Sequence, residues 1–98
     1  MITEHAVLDV KPGQAQAFEK AMRKAVPLIS ASEGFLGIEV LPCIEKPGRY
    51  LLLVKWTDVD AHDVGFRESE RYQEWKALLH GFYLPFPVVQ HYRESIVG

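Results

Sequence analysis

The sequence predicts an α+β fold in which one antiparallel sheet carries its helices on a single face. Three observations point there. The opening residues alternate between apolar and polar, a stripe of apolar residues at helical spacing follows, and two apolar runs joined by a Pro-Gly turn precede a second helical stripe and a closing strand. The 98 residues make room for one domain, 1–98, because single cores typically occupy about 100–150 residues. Apolar residues form 48% and charged residues 24% of the chain, close to the globular averages of roughly 45–50% and about 25%, so the chain is expected to fold around a core.

Ile2, Glu4, Ala6, Leu8 and Val10 share one face of the first segment, and Thr3, His5, Val7 and Asp9 share the other. That period of two is a strand. After Pro12-Gly13, Phe18, Met22, Ala25 and Ile29 recur at helical spacing while Gln16, Glu19, Lys20, Arg23 and Lys24 fill the other positions, which predicts an amphipathic helix. Pro27 lies inside it and, lacking an N–H, is expected to kink or end it. Ser32-Glu33-Gly34 closes the helical stretch, and the runs 35–43 and 49–57 flank Pro47-Gly48, a pair suited to the centre of a type II turn. They predict a hairpin. Its second run is mostly apolar on both faces, Tyr50, Leu52, Val54 and Trp56 against Leu51, Leu53 and Lys55, and reads as a strand buried on both sides.

Thr57-Asp58-Val59-Asp60 offers capping oxygens for a short helix with Ala61 and His62, which Gly65 is expected to interrupt. Ser69 caps a second helix whose inward stripe is Tyr72, Trp75 and Leu79, ending at His80-Gly81. The segment 82–87 holds two prolines and reads as irregular, and 88–97 reads as the last strand. The order β-α-β-β-α-β is that of a ferredoxin-like fold, with both helices on one face of the sheet. Its other face, carrying Thr3, His5, Val7, Leu51 and Leu53, is apolar enough to call for a second copy as cover.

Several function classes are not expected. Eleven basic and 13 acidic residues leave a formal charge of −2 with no basic stripe, so a nucleic-acid partner is not indicated. No apolar run approaches the ~18 residues of a membrane span, and the start lacks a basic leader, which predicts a cytoplasmic protein without a membrane partner. Cys43 stands alone, and the four histidines show no i, i+3 or i, i+4 pairing, so the sequence carries no metal signature. No Gly-rich strand-to-helix turn indicates flavin or nicotinamide, and no cofactor is expected. Eleven residues are aromatic, and nine of them lie from Tyr50 onward. Their spacing outlines a wall and a lid for a flat apolar ligand.

Glu33-Gly34-Phe35-Leu36-Gly37, Tyr50 to Trp56, Ala61-His62, Phe66-Arg67-x-Ser69-x-x-Tyr72-x-x-Trp75 and Pro87-Val88-Val89-x-His91-Tyr92 together resemble the antibiotic biosynthesis monooxygenase domain. The resemblance covers almost the whole chain. It implies a homodimer, with two sheets packed face to face as a dimeric α+β barrel. It also implies several possible activities, among them oxidation of anthrone-type or quinol substrates with molecular oxygen and without metal or flavin, and degradation of haem.

In the oxidising branch a Trp at the end of the third strand and a Tyr six residues later are site residues. Trp56 matches the first, and His62 stands at the Tyr position, where an imidazole of ordinary pKa near 6.5 can accept a phenolic proton. An Asn expected four residues before the Trp is replaced by Leu52. The haem-degrading branch fits worse: His5 stands at its Asn, and Gly65 and Trp75-Lys76 fall near its Trp and its haem-ligating His.

The resulting expectation is a monooxygenase of a phenolic, quinol or anthrone-type substrate. His62 and Trp56 would be catalytic, and Phe66, Tyr72, Trp75, Leu52, Phe82 and Phe86 would bind substrate. The alternative is a non-oxidative dimeric barrel that binds a small molecule, serves in stress or isomerises a small substrate. Bland roles compete for individual residues. Trp56 also suits a core aromatic, and His62 an exposed position on a short helix. His5 and His91 suit a dimer contact or a solvent-facing position, and His80 a cation at a helix C-terminus.

Overall fold

The computed structural model describes residues 1–98. Four strands, β1 (Ile2–Asp9), β2 (Phe35–Pro42), β3 (Arg49–Trp56) and β4 (Gln90–Tyr92), form one antiparallel sheet in the order β2-β3-β1-β4. Two helices, α1 (Ala15–Ser30) and α2 (Glu70–Leu79), cover one face, and a π-helical segment, Ala61–Phe66, links β3 to α2. The element order is the ferredoxin-like one read from the sequence.

β1 and β3 pair along their whole length, from Ile2 opposite Trp56 to Asp9 opposite Arg49. That register sends Ala6, Leu8, Tyr50, Leu52, Val54 and Trp56 to the helix side, where they are buried. Phe18, Met22, Ala25 and Ile29 of α1 and Trp75 and Leu79 of α2 meet them there. Burying an aliphatic or aromatic side chain contributes about 1.5–3 kcal/mol, so this layer anchors both helices.

α1 passes through Pro27 and ends three residues later at Ser30. Of the two outcomes expected at Pro27, a kink or an end, the helix does not end there: Ile29, 1% exposed, holds the last turn on the core against the missing hydrogen bond. The open face differs from the expected double burial, because Leu51, Leu53 and Lys55 are only half-buried in the single chain.

Two further expectations change. The segment after β3 is one π-helix that includes Gly65, with Arg67 N–H donating to the His62 carbonyl at 3.0 Å. Asp58 Oδ1 accepts from Ala61 N–H at 2.8 Å, and Ser69 Oγ from Tyr72 N–H at 3.3 Å, so both caps form. The last strand shrinks from 88–97 to Gln90–Tyr92. Farther along, the free edge of β1 is taken by the Pro-rich segment: Leu84 N–H donates to Asp9 and Lys11 N–H to Phe82, with a bridge between Val10 and Tyr83. Beyond Tyr92 the chain finds no partner strand, and Ile96 and Val97 stay exposed.

The end of β3 has a tight neighbour. Gly34 holds φ +86°, and a Cβ there would stand 2.6 Å from Thr57 Oγ1 and 2.7 Å from the Ala61 Cβ. Only glycine fits this approach, which fixes the turn that delivers Trp56 and His62.

Candidate active site

Glu4 lies on the helix-facing side of β1, between Val54 of β3 and His91 of β4. It is 5% exposed among apolar neighbours. Trp56, diagonally across on β3 where it pairs with Ile2, donates its Nε1–H to Glu4 Oε1 at 3.0 Å. His62 stacks on the Trp56 ring with centres 5.4 Å apart and places Nε2 3.3 Å from the same oxygen. The contacts of the carboxyl thus fall on Oε1, which leaves Oε2 without a protein partner.

The other nitrogen of His62, Nδ1, is 2.8 Å from Nε2 of His91. The ring centres lie 5.1 Å apart, about the bond length plus the two ring radii, so the nitrogens meet head-on. His91 was expected at a dimer contact or in solvent. Its register opposite Glu4 instead turns it to the helix side.

Burial sets the protonation states. It pushes Glu4 up to about 7, against the opposing effects of the Trp56 hydrogen bond and the Arg67 charge. It also pushes His62 down to about 4, helped by the neighbouring His91. The expectation that His62 keeps its ordinary value fails because the ring is buried. At neutral pH the pair is a neutral imidazole beside a carboxyl poised between its two forms. His80, expected as a helix-end cation, is also shifted down by burial and by Lys76, and it packs edge-on against Phe86 with centres 5.0 Å apart.

Glu4 and His62, with Arg67 and His80, are polar residues on the wall of a cavity between sheet and helices, whose lining also includes Leu52, Phe66, Tyr72, Trp75 and Phe86. Phe66 meets Tyr72 and Trp75 edge-to-face, at 5.4 and 5.6 Å. Two sequence candidates stand elsewhere. Trp56, 0% exposed, is not on the lining and backs His62 from the core, while Phe82 packs against Phe18 with centres 5.9 Å apart. The cavity holds about 50 Å³, well below the ~300–1,000 Å³ of ordinary ligand sites. Phe86, 60% exposed, and Pro87 form its outer rim.

Sequence reading missed Glu4 and His91. A signal existed for Glu4, the one charge on the apolar face of the first strand. None existed for His91, whose place depends on pairing across 87 residues.

His62 Nδ1, Asp63 Oδ1 and His91 Nε2 approach one another as a metal-ligand set would, a grouping that sequence spacing could not reveal. Asp63 Oδ1 is 3.6 Å from His62 and 3.8 Å from His91 and has no hydrogen-bond partner. The 2.8 Å between the imidazole nitrogens is nevertheless a hydrogen-bond length, shorter than the ~3.4 Å between donors on a tetrahedral ion with ~2.1 Å bonds. Arg67 Nη1, 3.8 Å from Asp63 Oδ1, already shares its charge.

Comparison with known proteins agrees with this architecture. A family model described as antibiotic biosynthesis monooxygenase matches residues 1–78. The chain is 48% identical over 94 residues to the uncharacterised YczJ of Bacillus subtilis (strain 168), covering 96% of this chain and 99% of that one. A Bordetella bronchiseptica protein classed with the antibiotic biosynthesis monooxygenases superposes with a TM-score of 0.92 at 37% identity, covering 97% of each chain. SnoaB, a cofactor-independent oxygenase from Streptomyces nogalater, shares the fold with a TM-score of 0.78 at 19% identity, over 97% of this chain and 95% of that one.

Proposed function

The chain belongs to the antibiotic biosynthesis monooxygenase family, and we propose that it oxidises a phenolic, quinol or anthrone-type substrate with molecular oxygen, using neither metal nor flavin. The observation that supports this reading is the buried Glu4–His62 pair on the wall of an otherwise mostly apolar cavity. Such a substrate reacts with oxygen once it loses a proton, so the site has to supply a proton acceptor, a fixed orientation and little water.

Magnitudes assign the acceptor. A phenol with a pKa near ~10 gives its proton to a group at about 7 at a cost of about 4 kcal/mol. Transfer to His62 at about 4 costs about 8 kcal/mol. Glu4 is therefore the acceptor, through its free Oε2, and His62 positions it and takes the proton only in passing. Trp56 holds Oε1 from behind, while Phe66, Tyr72, Trp75 and Leu52 enclose the ring. Phe86 sits at the mouth and has to swing out to admit a substrate larger than the present cavity.

A small aromatic substrate and oxygen, with a second copy of the chain over the open sheet face, complete the reading. Oxygen uptake screened against anthrone and simple quinols tests it, with uptake by the unsupplemented protein as the supporting result. Leu52 favours a second reading, a non-oxidative barrel, because it leaves the cavity without the polar anchor of the oxidising branch. Binding of the same compounds with no oxygen uptake, with or without added flavin or haem, would establish that alternative.

A further inference from the structure

Glu4 and His62 are 5% and 4% exposed. Once a substrate fills the cavity, neither can trade a proton with bulk water directly. His91 is different: it sits on edge strand β4 with 21% of its side chain exposed, and it holds the far nitrogen of His62 at 2.8 Å.

We propose that Glu4, His62 and His91 form a proton conduit from the cavity to solvent, with His91 as its exit. The proposal rests on Glu4 being the proton acceptor and adds the route by which the proton leaves. The links are the 3.3 Å approach of Glu4 Oε1 to His62 Nε2 and the 2.8 Å head-on contact of His62 Nδ1 with His91 Nε2. An imidazole passes a proton by taking it on one nitrogen and releasing another from the second.

The proton taken by Glu4 is presented to His62 Nε2 as the carboxyl turns. His62 gives its Nδ1 proton to His91 Nε2, and His91 releases its own Nδ1 proton to water. Glu4 returns to the carboxylate and one proton has crossed, so the one charge added to the cavity is that of the substrate anion; both imidazoles are left as Nε2–H tautomers and have to return to Nδ1–H before the next proton passes. Asp63 Oδ1, 3.6 and 3.8 Å from the two joined nitrogens, stabilises the passing cation, and Arg67, 3.8 Å from Asp63, moderates it. His91 lies beyond residues 1–78, the part of the chain that the family model matches.

Oxygen uptake with anthrone by the wild type, His91→Ala and His91→Gln tests the route. The conduit predicts a kcat lower by at least about tenfold in both variants with KM little changed. It further predicts a larger solvent deuterium isotope effect and recovery of His91→Ala by added imidazole. An unchanged kcat, or a loss that imidazole does not repair and that leaves the isotope effect as it was, would overturn it. If the wild type oxidises none of the substrates, the functional reading fails on its own. The conduit is then read from the carbon-13 signal of the Glu4 carboxyl, whose exchange between protonated and charged forms is expected to slow in His91→Ala, equal rates overturning the proposal.

Discussion

Glu4 and His62 are displaced from their ordinary pKa values in opposite directions by one cause, burial, and their effects on stability therefore oppose each other. Glu4, raised from 4.5 to about 7, stabilises the fold below its unfolded value and loses that contribution as pH rises through 7. His62, lowered from 6.5 to about 4, contributes stability above its unfolded value and loses it as pH falls through 4. Each contribution is about 3 kcal/mol at most, so in the wild type they nearly cancel between pH 4 and 7. Single variants uncover them. Chemical denaturation of Glu4→Gln is expected to show stability rising from pH 4 to 6.5, and that of His62→Gln to show it falling from pH 4.5 to 7. Trp56→Phe removes the hydrogen bond that lowers Glu4 and is expected to move the midpoint of oxygen uptake upward from about 7.

Among the elements, the junction between β2, β3 and the π-helical segment controls the site. Gly34→Ala is expected to destabilise the protein by about 1–3 kcal/mol, because its positive φ and the 2.6 Å approach to Thr57 Oγ1 leave no room for a Cβ. Thermal unfolding measures the loss. Elements with strong periodicity were legible in the sequence. The first strand, the amphipathic helix, the Pro-Gly hairpin and the Ser69 cap depend on local patterns, and all four form. The C-terminal part was not legible, because whether 88–97 pairs depends on how much of the β1 edge the Pro-rich segment has already taken. At Pro27 the sequence left a kink or an end open, and the burial of Ile29 decides it, since it outweighs the local cost of Pro27. In the site, His62 was singled out by the family resemblance, which places it at a site position six residues after Trp56, while Glu4 was missed although it is a charge on an apolar face. Their partnership with His91 was hidden in the sheet register.

For the molecule as a whole, the helix-covered face holds the core, while the other face presents Val7, Leu41, Leu51 and Leu53, all half-buried or exposed in the single chain. A second copy laid across this face would cover them and close the dimeric barrel that the family resemblance implies. Sedimentation at micromolar concentration is expected to give a species of twice 11.2 kDa, and Leu53→Lys is expected to give the single chain. An 11.2 kDa species for the wild type would contradict the dimer.

The proposed mechanism depends on a carboxyl, not an isolated imidazole, as the group that takes the substrate proton. The pH dependence of kcat/KM for anthrone oxidation, measured for the wild type and for Glu4→Gln, tests this most directly. The mechanism predicts that wild-type activity rises with pH to a plateau with its midpoint near 7, since the carboxyl has to be charged to accept a proton. Glu4→Gln is predicted to lose about 10²–10⁴ in rate and the midpoint with it. A Glu4→Gln protein that keeps the wild-type rate and the wild-type midpoint would contradict it.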